Sequence, residues 1–427
     1  MLTRLVALSF ASSGLAFVLE LVLARKFGAT PLLDAYRLAQ SVFLIGAQML
    51  VHQLLPHVIV PGFTRLRAAA GERAAWSHFA ALASALAIAS SLAAAILMLP
   101  AARHALAPGL HPAAAAALPA FFALIGLAAL ANVLSGAFAA VLGTYNQFAV
   151  ALLPPLCINA CALAAVAATP ADLVTAALGG GTLAGATVAL AIHLRTAAAI
   201  PTAALLAIPR WSHIRPWLGG ILAALITCIA IGHTGNILVQ RSLSLQTPGS
   251  IALFSYAVRL TTLIYTPAAL FGNTRFPALA EALADGDPHA YSTILRAALA
   301  RTLLLSVPAA AALWLVRHPL VKLLFGAGKL DPSSLANLAE MFGWIALTAP
   351  LGAVITLLWK VFAAAGSHIG IVAPSAVALA FLIAILPVYS SRGPESIAIA
   401  YALWILVTAA ATLIALRFLS PPQPVRK

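Results

Sequence analysis

Runs of roughly 20 apolar residues recur along the whole chain, separated by short segments that hold most of the charged residues. A helix of about 20 apolar residues is long enough to cross the hydrocarbon core of a bilayer. The pattern therefore predicts about twelve membrane-spanning helices. They lie near 4–24, 35–62, 76–100, 117–142, 148–168, 172–194, 214–240, 250–274, 295–316, 335–359, 369–389 and 395–419.

Composition supports this pattern, since a soluble protein could not bury so large an apolar share. Of the 427 residues 63% are hydrophobic, and the mean hydropathy is +1.03. We therefore predict an all-α polytopic membrane protein. The net charge of +14 does not indicate nucleic-acid binding, because the basic residues lie mostly in short loops and at helix ends. Their bias toward one side predicts that both termini are cytoplasmic.

Motifs for catalysis, a metal or a cofactor do not occur in the sequence. Cys157, Cys161 and Cys228 lie in apolar runs, spaced like core residues rather than like a disulfide framework or a zinc site. No nucleotide-binding glycine loop and no paired aspartates of a prenyl transferase are present, and "GGGT" at 179–182 is typical of helix packing. We predict that the protein binds no cofactor and is not an enzyme.

An internal repeat divides the predicted spans into two halves. Short motifs of the first half recur in order in the second at a nearly constant offset, among them the pairs Arg25 with Arg241, Arg37 with Arg259, and Gly109 with Gly328. Six spans in each half give both halves the same orientation, so the repeats are parallel. We predict two six-helix bundles, 1–195 and 214–427, joined by a cytoplasmic linker, 196–213, around a central polar cavity.

Polar residues at helical spacing show which faces of the spans are turned toward protein or water rather than toward lipid. Such faces occur in spans 1 and 2 and in their repeat counterparts, spans 7 and 8, which predicts a cavity lined by these four helices. A second interpretation is that the polar groups join helices through hydrogen bonds, and that His52 and His57 are structural rather than proton carriers. The faces consist of Ser9, Ser13 and Glu20; Arg37, Gln40, Gln48 and His52; His233, Asn236 and Gln240; and Ser255, Arg259, Thr262, Thr266 and Asn273.

The segment "LARKFGATPLLDAYRLA" resembles the "ARxFG…DAF" signature of the MurJ (MviN) lipid II flippases, in the MOP transporter superfamily. The resemblance continues through "APGL", "GTYNQFAVALLPPLCIN", "FPALAEALADGD", "LLFGAGKLD" and "WKVFAAAGS". It implies two six-helix bundles around a cationic cavity, and transport of undecaprenyl-pyrophosphate-linked sugars by alternating access. The family's eighth-span arginine corresponds to Arg259, and its other cavity arginines to Ser13, Leu19 and Ala47. The acid that follows the eighth-span arginine corresponds to Thr262.

The leading hypothesis is a monomeric flippase of the bacterial inner membrane that carries a polyprenyl-diphosphate-linked saccharide for peptidoglycan biosynthesis or polysaccharide export. Arg37 and Arg259 would hold the diphosphate. Arg25 is a further expected substrate contact and would also form an ion pair with Asp34 at the outer gate, and Arg241 is its helix-end counterpart in the second half. The other expected substrate contacts are Glu20, Gln48, His52, Asn236, Gln240 and Thr262. The alternatives are a cation-coupled exporter of the same superfamily and a non-transporting scaffold that binds envelope glycan-synthesis proteins.

Overall fold

The computed structural model describes residues 2–51, 55–170, 173–200, 204, 207–217, 220–365 and 367–418, and all regular structure in these ranges is helical. π-helical segments at Gln40–Ile45 and Ala176–Gly180 continue neighbouring α-helices. The α-helices are α1 (Leu2–Phe27), α2 (Pro31–Ala39), α3 (Gly46–Met49), α4 (Leu55–Ala70), α5 (Glu72–Leu97), α6 (Pro100–Leu106), α7 (Pro112–Gly143), α8 (Phe148–Ala151), α9 (Leu153–Ala168), α10 (Gly181–Ala198), α11 (Trp211–Ile214), α12 (Gly220–Ser244), α13 (Ser250–Ala284), α14 (Pro288–Leu315), α15 (Arg317–Phe325), α16 (Pro332–Ala346), α17 (Ala349–Ala364), α18 (His368–Ser390) and α19 (Pro394–Arg417).

In the described ranges, each predicted span falls on a helix or on consecutive helices, so the all-α fold is confirmed. Within the described ranges, seven helical stretches are long and apolar enough to cross a membrane, judged by length and composition. The chain is therefore a multi-pass membrane protein. The seven stretches are Glu72–Leu97, Pro112–Gly143, Ala176–Ala198, His289–Leu315, Pro332–Ala364, Ile369–Ser390 and Pro394–Arg417.

The chain divides into two compact units, Met1–Ala223 and Ala224–Lys427. The first unit includes the whole of the predicted linker and also Trp217, which is buried. The Trp217 ring covers α4 so closely that a Cβ added at Gly62 would lie 2.7 Å from it. The bundle boundaries at 195 and 214 stay a sequence prediction.

Aromatic rings pack edge to face in the core of the first unit. Phe79 lies with its ring centroid 5.6 Å from that of Trp76 and 5.1 Å from that of Phe138. Such pairs contribute about 0.5–1.5 kcal/mol beyond the apolar area that they bury. At the end of this cluster Trp76 Nε1 donates to Tyr145 Oη, which donates to Glu72 Oε1 at 2.6 Å. Partial burial, with the hydrogen bond to Glu72, raises the pKa of Tyr145.

A matching anchor in each unit agrees with the internal repeat. In the first unit the Lys26 ammonium donates to the carbonyl oxygens of Val166 and Thr169, at the end of α9. In the second unit Gln246 Nε2 donates to the Ser390 carbonyl at 2.9 Å, at the end of α18. Lys26 and Thr169 are 143 residues apart, and Gln246 and Ser390 are 144 apart. The last carbonyls of a helix have no intrahelical partner, so both donors stabilise the end of the corresponding helix.

Candidate substrate site

Glu20 on α1 and Arg37 on α2 form an ion pair in the interior of the first unit. Arg37 Nη2 donates to Glu20 Oε2, and each side chain is 3% exposed. An uncompensated charge at this depth would cost several kcal/mol, so each group stabilises the ionised form of the other. The first unit therefore contains a buried guanidinium whose counter-ion is a carboxylate.

Arg37 also belongs to a chain of hydrogen bonds between α2 and α10. Its Nη1 donates to Gln40 Oε1 at 2.7 Å, and Gln40 Nε2 donates to Tyr36 Oη at 2.7 Å. Tyr36 Oη lies 3.3 Å from Thr182 Oγ1, which donates to the Leu178 carbonyl at 2.6 Å. The guanidinium is therefore held on two sides, by a carboxylate and by an amide oxygen.

The predicted gate residues Asp34 and Arg25 lie in different environments. Asp34 is in the first turn of α2 and is 5% exposed, whereas Arg25 is in the last turn of α1 and is exposed. An acid near a helix N-terminus and a base near a C-terminus both interact favourably with the helix dipole. Both placements are favourable for the charges, and a gate formed by the two residues stays a prediction.

Two predicted contacts follow Arg37 along the second span. Gln48 lies on α3 and is half-buried. His52 lies outside the described residues, as do the side chains of Ser9, His57, Thr266 and Asn273.

In the second unit the predicted polar face lies on α12 and α13. Gln240 is 3% exposed, and its Oε1 has no hydrogen-bond partner among the described residues. Asn236 and Arg259 are half-buried, and Thr262 Oγ1 donates to the Arg259 carbonyl at 2.6 Å. Because a buried acceptor without a donor costs about 1–3 kcal/mol, Gln240 is the residue of this unit best suited to accept a hydrogen bond from a ligand.

The two repeat-related arginines occupy different positions on their helices. Arg37 is the seventh residue of α2, which begins at Pro31, and Arg259 is the tenth residue of α13, which begins at Ser250. Three residues correspond to about 4.5 Å along a helix axis. Counted from the helix starts, the first-half counterpart of Arg259 is Gln40, to which Arg37 is hydrogen-bonded. Arg241, the other repeat-related arginine, is exposed near the end of α12.

The described polar residues combine arginine and amide groups with the buried carboxylates of Glu20 and Asp34. In the described ranges no group of three or more His, Cys, Asp and Glu side chains is placed to hold a metal ion. Guanidinium and amide groups bind oxyanions by charge-assisted hydrogen bonds and need no covalent step.

The sequence profile of the lipid II flippase MurJ family matches residues 23–419. The chain belongs to the MurJ family. It is 25% identical over 362 residues to the lipid II flippase MurJ of Burkholderia cenocepacia, a match that covers 81% of this chain and 68% of that protein. This confirms the resemblance seen in the sequence motifs.

Solved structures show the same fold at low sequence identity. A lipid II flippase MurJ in an inward closed conformation gives a TM-score of 0.83 at 14% identity, covering 97% of this chain and 87% of that one. An inward-facing MATE family multidrug resistance transporter of the MOP superfamily gives 0.75 at 13% identity, covering 96% and 94%. The fold is thus shared by MurJ and by MATE transporters.

The charged positions of the site differ from those that the MurJ resemblance implies. Leu19 and Ala47, which stand at two of the family's arginine positions, are buried in apolar packing. Ser13, at the third, is half-buried. Among the residues whose burial the structure describes, Arg37 is the buried arginine of the first unit, and it is paired with Glu20.

Sequence reasoning missed three hydrogen-bonding residues in the first unit of this MurJ family member, Tyr36, Thr182 and Lys26. Tyr36 precedes Gln40 by four residues, so helical spacing could have placed both on one face. Thr182 and Lys26 gave no such signal, because their partners are 146 and 143 residues away in the chain. Thr182 in particular lies within "GGGT", which indicates helix packing.

Proposed function

We propose that this protein moves a polyprenyl-diphosphate-linked saccharide, lipid II or a related lipid-linked glycan, from the inner to the outer leaflet by alternating access. A diphosphate cannot cross hydrocarbon unaided, because charge in the bilayer core costs several kcal/mol. The observation that carries the proposal is the buried guanidinium of Arg37, whose present counter-ion is a carboxylate that a phosphate oxygen can replace. Membership in the MurJ family supports the substrate class.

Arg37 suits a phosphate because its planar fork can donate two parallel hydrogen bonds to two oxygens. In the protein without substrate, Glu20 neutralises Arg37, so the guanidinium is not a buried charge without a counter-ion. A diphosphate then competes with Glu20 for the same donors, and Arg259 supplies the positive charge of the second half. Gln48, His52, Asn236, Gln240 and Thr262 are proposed to hydrogen-bond the headgroup.

The location and organisation proposed here follow from the charge bias and the repeat. The protein is a monomer of the bacterial inner membrane, with both termini and the 196–213 linker in the cytoplasm. Arg25, Asp34 and Arg241 act at the outer gate, and the protein catalyses no covalent reaction.

The test is rescue of bacterial cells depleted of their own lipid II flippase, followed by flipping of a fluorescent polyprenyl-diphosphate saccharide in proteoliposomes. Arg37→Gln should abolish flipping, and Arg37→Lys should restore little, because an ammonium lacks the planar fork. Arg210→Gln, at an exposed position of the linker, is the matched control and should flip normally. Full activity of Arg37→Gln would reject the role of Arg37, and an inactive wild type in both assays would reject the function.

A cation-coupled exporter is the second candidate, because the first unit buries two carboxylates, Glu20 and Asp34, and buried carboxylates can bind a cation. The MATE-like fold agrees with it. Efflux of a cationic dye that Glu20→Gln abolishes, together with no flipping, would favour this candidate. Absence of both activities would favour a scaffold.

A further inference from the structure

The direction of each hydrogen bond between Arg37 and α10 follows from the donors available. A threonine has one hydroxyl proton, and Thr182 gives it to the Leu178 carbonyl. Tyr36 therefore donates to Thr182, and its oxygen accepts from Gln40 Nε2. This orients the Gln40 amide with its oxygen toward Arg37 Nη1. Gln40 consequently presents an acceptor to the guanidinium.

Two hydroxyl groups of this series of hydrogen bonds are buried. Tyr36 and Thr182 are fully buried, and the Tyr36 ring packs against Phe121 with centroids 5.6 Å apart. A buried hydroxyl needs a partner, and water cannot substitute for one where there is no room for it. Loss of the Tyr36 hydroxyl would remove the acceptor of Gln40 Nε2, and loss of the Thr182 hydroxyl would remove the acceptor of Tyr36 Oη.

Two members of this series of hydrogen bonds lie in π-helical segments. Gln40 is the first residue of Gln40–Ile45, and Leu178 lies within Ala176–Gly180. π turns are rare and are frequent at functional sites. The side-chain links therefore join the residue that follows α2 to the π-helical turn that precedes α10.

We infer that Gln40, Tyr36 and Thr182 are positioning residues that hold the Arg37 guanidinium in one plane for a phosphate. Gln40 occupies Nη1 from one side, so the Nη2 edge now paired with Glu20 is the edge offered to the ligand. When phosphate replaces Glu20, the guanidinium keeps its orientation and does not have to be ordered again. Because a phosphate ligand belongs to the function proposed above, this inference rests on it.

The transport test measures the half-saturating concentration of a fluorescent undecaprenyl-diphosphate saccharide in proteoliposomes. Tyr36→Phe and Thr182→Val should each raise it about fivefold, the equivalent of one net hydrogen bond of about 1 kcal/mol. Thr182→Ser keeps the hydroxyl and should restore the wild-type value. The control is Thr187→Val, which removes the same bond to the fourth preceding carbonyl on α10 at an exposed site. A purely structural role would lower the amount of folded protein and leave the half-saturating concentration unchanged.

A second measurement does not depend on transport. Thermal unfolding in detergent is compared for Arg37→Gln, Thr182→Val and the double variant, with Arg37→Gln/Thr187→Val as the matched pair. If Thr182 positions Arg37, the loss of stability in the double variant should be clearly smaller than the sum of the losses in the two single variants. In the control pair the losses of stability should be additive. Additive losses at Arg37 and Thr182 would overturn the positioning role even in an active flippase. Coupled losses in a protein that flips no diphosphate lipid would uphold the linkage and reject the proposed function.

Discussion

Replacing Arg37 by glutamine should destabilise the protein mainly through the charge that it leaves behind. Glu20 would keep its buried position, with its side chain 3% exposed, and would lose its counter-ion. Removing one partner of a buried ion pair costs about 3–5 kcal/mol, and the lost charged hydrogen bond to Gln40 adds about 1.5–3 kcal/mol. We therefore expect a loss of about 4.5–8 kcal/mol in the free energy of unfolding.

The assay is thermal unfolding in detergent micelles, followed by tryptophan fluorescence. The double variant Glu20→Gln/Arg37→Gln removes both charges and leaves two amides, so it should recover most of the loss, as neutral replacements of buried pairs often do. Arg195→Gln, at an exposed position of α10, is the control and should change stability by less than about 0.5 kcal/mol.

Two results would refute this reasoning. If Arg37→Gln unfolds at the same temperature as Arg195→Gln, the carboxylate of Glu20 is not a buried charge that depends on Arg37. If the double variant loses the sum of the two single losses, the two side chains do not interact directly.

Two further predictions use the same unfolding assay. Gly185→Ala should cost about 1–3 kcal/mol, because its Cβ would lie 2.4 Å from the Cys157 carbonyl oxygen, whereas Gly180→Ala, with no atom within 4 Å, should cost nothing. Asp331→Ala should cost about 1 kcal/mol at neutral pH, since Asp331 caps α16. Hydrogen bonds from the side chain and backbone of Ser334 lower the pKa of Asp331, so the difference should persist above the ordinary aspartate pKa and disappear as the pH falls through the lowered one.

The spans and their polar faces could be predicted because helical periodicity is a local property. Residues three or four apart lie on one face whatever the rest of the chain does, so Glu20, Arg37 and Gln40 were recognisable as interior polar residues. The family followed from short motifs in order, and the fold from the family.

Only the tertiary structure decided which groups meet across distant helices. Nothing local to Thr182 indicates that it accepts from Tyr36, and nothing local to Lys26 indicates that it closes the end of α9. The sequence repeat makes Arg37 the counterpart of Arg259. When positions are counted from the first residue of each helix, the counterpart of Arg259 is Gln40. Periodicity determines the face of a helix, but the partner of a side chain depends on how that face is rotated and shifted against another helix. Packing sets that rotation, and it is distributed over many contacts far apart in the sequence.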